Sequence, residues 1–243
     1  MTPFSVSDAT QLVRKNLDEL DPNGSIMYND QGGSADQYND NSSMNDLIER
    51  LMPEAINAVN MAAPVALLEG TDVKSSATYA AVTGDAKVLK ISFASDQHYM
   101  RLVAFRAADS DIVVTDTIAE ASPEGRKQHN NYIRGTADRP RLVLEQGSQD
   151  GSPSFRYYSF ASNTASPTSS DIATFIILKE VRYRDTNYGY TAATTNPAVP
   201  ARYDSCQRLR QNYADYITAR VMETYNDARA QAYIQRALSF PAI

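Results

Sequence analysis

The residue pattern of this chain points to an α+β protein. In it, N- and C-terminal helices form a helical domain and a β-rich insertion lies between them. Three observations lead there. Met44, Leu47, Ile48, Leu51, Ala55, Ala58, Val59 and Ala62 recur at three- and four-residue steps, the period of an amphipathic helix. Arg202 to Leu238 has no Pro or Gly, and Leu209, Tyr213, Ile217, Val221, Tyr225, Ala228 and Ala232 keep the same period. Between them, Leu89, Ile91 and Phe93 alternate with Lys90 and Ser92, as a strand with one wet face does. The expected division is 1–70, 71–200 and 201–243, with the last segment packing on the first.

Taken in order, Val6, Ala9, Val13, Leu17 and Leu20 make one face of a first helix, with Ser5 or Ser7 to cap it. Asp21-Pro22-Asn23-Gly24 stops it with turn chemistry. Residues 28–43 are polar and almost free of aliphatics, which predicts a long loop or an arm that orders on a partner. The second helix is expected from Met44, with Ser43 and Asp46 as a capping pair. Pro53 should kink or break it, and Ala63-Pro64 should end it. Strands are expected near 89–93, 99–106, 112–115, 141–146, 155–161 and 172–183. Ser122-Pro123 starts a short helix expected to reach about Ile133 and stop at Gly135. Asn187 to Pro200 is a loop, and the terminal helix follows, with a break near Glu223–Asp227 where Asn226 or Asp227 caps a fresh start.

The 243 residues suffice for one large or two small cores. No run of some 18 apolar residues occurs, and Met1–Ser7 lacks the basic and apolar blocks of a secretory leader. A lone cysteine, Cys206, rules out an intrachain disulfide and fits folding in a reducing cytoplasm. The net charge of −6 is uneven: residues 1–120 hold 18 acids and 8 bases, residues 121–243 hold 11 acids and 15 bases. Such a division suits head-to-tail contact between like subunits, and equally two solvated faces of different sign.

Signs of catalysis are few. His98 and His129 stand in no metal-ligand spacing, and no nucleophile elbow, phosphate loop or dinucleotide fingerprint is present. Gly32-Gly33 has no following helix or lysine, and Asp30, Asp36, Asp40 and Asp46 lack the calcium-loop spacing. Cys206 reads as structural rather than reactive. The expectation is a non-enzyme without cofactor or metal.

Arg126, Lys127, Arg134, Arg139 and Arg141 cluster around Tyr132, a pattern that suits phosphates, stacked bases or a protein interface. A sequence pI of about 5.0 favours the interface, with the arginines meeting the acidic half of a neighbour. Fifteen tyrosines stand against seven phenylalanines and no tryptophan, and tyrosine joins apolar area to a polar tip. Tyr213 and Tyr216 on the terminal helix join the expected interface residues.

Three segments carry a resemblance. They are MNDLIERLMPEAINAVNMAAPVALLEG (44–70), QHNNYIRGTADRPRLVLEQGSQDGSPSFRYYSF (128–160), and the helix introduced by Pro200, ARYDSCQRLRQNYADYITARVMETYNDARAQAY. Together they resemble the head-to-tail connector (adaptor, or ring) proteins of tailed, particularly short-tailed, bacteriophages. The resemblance implies a homo-oligomeric ring, usually of twelve subunits, docked below the portal protein and offering a platform to the next tail or ring protein. DNA would meet it only by passage through the channel, and no membrane is involved. Its place would be the head–tail junction of the virion, after synthesis in the host cytoplasm. The tail of such adaptors lies against the portal, which gives Phe240 and Ile243 an anchoring role. The alternative expectation is a tail-associated module that binds a ligand or host glycan through the β-rich middle.

Overall fold

A computed structural model describes residues 2–17, 37–93, 98–145, 153–193 and 200–241. In chain order the first elements are β1 (Thr2–Ser5), α1 (Val6–Asn16), α2 (Gln37–Ala62), β2 (Thr71–Asp72), β3 (Ala77–Val82), β4 (Asp85–Phe93), β5 (Tyr99–Ala107) and β6 (Thr117–Ala119). They are followed by α3 (Pro123–Lys127), β7 (Arg141–Leu144), β8 (Ser154–Tyr158), β9 (Ile172–Lys179), β10 (Tyr190–Thr191), β11 (Arg202–Ser205), α4 (Arg210–Thr224) and α5 (Ala230–Ala237). The chain divides into two compact units, residues 1–69 with 181–243, and residues 70–180.

In the first unit, Ser5 ends β1 and caps α1, its hydroxyl accepting the Asp8 amide at 3.0 Å. Ala9 and Val13 of α1, Ile48, Met52 and Ile56 of α2, and Ile217 of α4 are all fully buried. Each large aliphatic here contributes about 1.5–3 kcal/mol by leaving water. A small sheet of order β1-β11-β10, antiparallel throughout, lies in the same unit. It buries Phe4 and Tyr203, cross-strand partners on one face.

The second unit is built on a five-stranded sheet of order β3-β4-β8-β7-β6 and a three-stranded sheet of order β2-β9-β5. All pairings are antiparallel except β6 with β7. Alternation sends Leu89, Ile91 and Phe93 into one core with Phe155, Phe105 and Phe175. Phe105 and Phe175 meet edge to face at 5.0 Å, and Phe93 and Phe155 at 6.0 Å. The opposite face of β4, β7 and β8 carries Val88, Val143 and Tyr158. Beside them Glu145 takes a hydrogen bond from the Ser154 hydroxyl at 2.5 Å and ion pairs from Arg156 and, at 3.3 Å, from Lys90.

This corrects the expected architecture. The chain is mixed α+β, 36% helical and 30% strand in three sheets, β-rich with few helices, rather than terminal helices around one β insertion. Strand is not confined to the middle: β1 precedes the first helix and β11 lies beyond residue 200, while β10 falls within the expected 187–200 loop. Residues 202–205 lie inside the run whose period read as helix, yet they pair with β1 and begin no helix. A four-residue strand offers too little alternation to compete with the long helical period that follows it.

Smaller corrections share this local origin. The second helix starts at Gln37, so Ser43 does not cap it, and it runs through Pro53 unbroken to Ala62. Residues 28–36 of the expected loop lie outside the described residues, as does Leu20. The expected strand at 112–115 is a single antiparallel bridge between Val114 and Phe105. The terminal helix does break: Asn226 takes a left-handed φ of 55°, and the Asp227 carboxylate accepts the Arg229 amide at 2.8 Å.

Candidate interaction surface

The basic cluster singled out in the sequence lies on the crossover from β6 to β7, which run parallel and therefore need a long return. Ser122 caps α3 by accepting the Gly125 amide at 3.0 Å, with Pro123 at the first helical position. The helix ends at Lys127, well short of the expected Ile133. Side-chain amides take over from the helical ladder. The Asn130 amide oxygen accepts the Tyr132 backbone N–H at 3.0 Å, making a turn. Buried Gln128 closes the loop from within: its oxygen accepts the Gly135 N–H at 2.7 Å and its nitrogen donates to the Glu124 carbonyl at 3.2 Å.

Arg134 then locks the loop to the sheet by a two-pronged ion pair with Asp85 at the start of β4. This guanidinium hydrogen bond holds the Asp85 carboxyl below the usual carboxylate range. Gly135 lies so close to Arg141 and Tyr158 that a Cβ would sit 3.0 Å from the Arg141 nitrogen. Thr136 and Arg139 exchange backbone hydrogen bonds at 3.2 and 3.0 Å.

A loop so thoroughly hydrogen-bonded nevertheless holds its apolar side chains outward. Tyr132 is 96% exposed and Ile133 56%. Around them Arg126, Lys127, Arg139 and Arg141 are exposed, and none has an ion-pair partner among the described residues. An aromatic at the centre of a positively charged collar is the composition of a protein-binding hot spot with its rim. The expected residues thus separate. Arg126, Lys127, Arg139 and Arg141 stay exposed along the connection from α3 to the start of β7, while Arg134 is engaged in holding the loop. Sequence reasoning placed Tyr132 among the bases without making it the exposed centre, and left out Ile133 beside it and Gln128 as the support.

The remaining expected interface residues are elsewhere. Tyr213 is corrected: it is fully buried, donating to Asn60 at 2.6 Å and accepting the Cys206 amide at 3.2 Å. Its helical stripe faces the core because α4 packs on both α1 and α2. Tyr216 is partly exposed and donates to Glu54 at 3.3 Å. Phe240 is partly buried, and Ile243 lies outside the described residues.

Among the described residues, no three His, Cys, Asp or Glu side chains are grouped to hold a metal, and no helix is long and apolar enough to cross a membrane. Cys206 is buried, and burial pushes its thiol above the usual range. Its sulfur accepts the Glu69 amide at 3.2 Å. His129 stands 3.7 Å from Glu120 on the surface. Comparison with protein-family models, curated proteins and solved structures finds no match for this chain.

Proposed function

We propose that the chain is a structural subunit of a tailed-phage head–tail junction, forming an oligomeric ring beneath the portal that extends the DNA channel and joins head to tail. The observation that carries this reading is the loop from Ser122 to Arg141, which Gln128, Asn130 and Arg134 tie down from within while Tyr132 and Ile133 face solvent. Tyr132 contributes nothing to the fold from where it stands, and its large area gains free energy only when a partner covers it. The resemblance of residues 44–70, 128–160 and 200–233 to connector proteins supports the same reading, since the second of these segments contains the Tyr132–Ile133 part of the loop.

The test is an electron micrograph of the purified protein mixed with the portal of its own virus. Rings stacked on the portal are expected. Single particles that leave the portal bare would overturn the reading. Tail involvement is tested separately by deleting residues 239–243, which should abolish portal binding while lowering the melting temperature only slightly. The tail touches the body through Asn212, which donates to the carbonyls of Ala237 at 2.8 Å and Ser239 at 3.4 Å.

A further inference from the structure

We propose that the Tyr132–Ile133 loop of one copy docks on the segment around Ile112 and Val113 of a second copy. The proposal rests on reading the basic loop as an interaction surface, and adds the surface it meets.

Among the described residues of the 70–180 unit, residues 108–116 form the second place where large apolar side chains are held outward. Ile112 is 37% exposed and Val113 49%. The segment is pinned on both sides of that pair. Ser110 donates its amide to the Ala107 carbonyl at 3.2 Å, its own carbonyl accepts Arg106 Nη1 at 3.1 Å, and its hydroxyl accepts the Ile112 amide at 3.2 Å. Val114 exchanges two backbone hydrogen bonds of 2.8 Å with Phe105. Between these anchors the Ile112 and Val113 residues keep about a third to a half of their surface in water.

The two patches have one plan and opposite sign. Asp109, Asp111 and Asp116 flank Ile112–Val113, all exposed, and no basic residue occurs from Ala107 to Ser122. Tyr132–Ile133 is flanked by Arg126, Lys127, Arg139 and Arg141, with Asp138 the sole acid from Gly125 to Arg141. Juxtaposing them covers both apolar pairs and sets collar against collar. The apolar pairs would supply the buried area, and the collars would steer the encounter and choose the register. An unrelated acidic partner could match the basic loop, but would leave Ile112–Val113 in water. A second copy satisfies both patches. Because they are different segments, each contact leaves one patch of either kind unfilled, so the pairing propagates to a ring or filament unless two copies satisfy each other reciprocally.

The test is disulfide trapping with Val113→Cys and Tyr132→Cys, both at exposed positions; the native Cys206 is buried. Folding of each variant is checked by its melting temperature. Under mild oxidation, a mixture of the two single variants should give a covalent dimer and nothing larger. The double variant should give a ladder of higher species, or a doubly bonded dimer if the pairing is reciprocal. Reversing the basic collar with Arg139→Glu and Arg141→Glu should lose the covalent dimer, and adding Asp111→Lys and Asp116→Lys to the other partner should restore it. Folded variants that give no mixed dimer would overturn the pairing, as would trapping indifferent to both charge reversals. The portal micrograph is independent: a ladder with a bare portal leaves the pairing standing and removes the connector reading, and stacked rings without trapping do the reverse.

Discussion

Arg236 on α5 clasps the buried carboxylate of Asp215 on α4 through two hydrogen bonds of 2.6 Å each. The same carboxylate accepts from Asn16 of α1 at 3.0 Å and from Gln211 at 2.8 Å. One acid therefore ties three helices. Asp215 is 2% exposed, whereas the Arg236 side chain keeps half of its surface in water. Arg236→Ala should cost about 1–2 kcal/mol, less than a fully buried pair would, because water can reach toward the vacated site. The selective sign is protease cleavage near Asp227 at temperatures where the rest of the protein resists.

Gln128 serves the interaction surface without belonging to it. Gln128→Ala removes two hydrogen bonds and should cost about 1–2 kcal/mol. Amides of residues 130–136 should then exchange with solvent faster than those of β7 and β8. Assembly should weaken as much as in Tyr132→Ala, although no exposed side chain has changed. Hydrogen exchange and sedimentation check the two halves of this expectation.

Gly125 is required by close approach. A Cβ there would lie 2.2 Å from the Ala119 carbonyl oxygen and 2.8 Å from the Glu120 Cα, both backbone atoms that cannot swing aside. Gly125→Ala should therefore destabilise by about 1–3 kcal/mol, as overpacking does, against the usual gain of an alanine in a helix. Urea unfolding reads the sign directly.

Acid should weaken the 70–180 unit through two named carboxylates. Asp85 is held below its ordinary range by Arg134. Burial alone would raise Glu145, but the Ser154 hydrogen bond and the charges of Arg156 and Lys90 outweigh it and bring it down. Both groups bind their proton more weakly folded than unfolded. Their contribution is present above the unfolded values near about 4, and is lost as pH falls from there through the folded values. Asp85→Asn and Glu145→Gln should each flatten the dependence of unfolding free energy on pH below about 4, while lowering stability at neutrality.

Helices and long strands were legible wherever one physical signal dominated. Ser5 before Val6, Ala9 and Val13 marked α1, and the alternation of Leu89, Ile91 and Phe93 marked β4 with the correct face inward. Competing signals misled. Tyr203 and Ser205 earn their burial from β1, some two hundred residues away, and nothing near them records that pairing. Asn130 continues a plausible helical run, but its side chain competes for the backbone and turns it into a loop. Five bases singled out the loop that is proposed as an interaction surface. That Arg134 would be spent on Asp85, and Tyr132 left bare, depended on a contact spanning 49 positions. Tyr213 misled for the opposite reason: an amphipathic stripe is the same whether it faces a partner or its own core.

Asn226 has a consequence for the identity of the subunit. Its left-handed φ of 55° turns the chain between α4 and α5 so that Arg236 meets the Asp215 of its own polypeptide. Were residue 226 right-handed, the conformation Ala would favour, the two helices would fuse into one rod from Arg210 to Ala237 and carry Arg236 away. Asp215 would then be satisfied by the Arg236 of another rod, and the subunits would exchange identical helices. The left-handed turn at residue 226 thus joins the Asp227–Arg229 and Asn212–Ala237 bonds in keeping α5 on its own α4, and Asn226→Ala turns the C-terminal helix into a candidate for domain swapping.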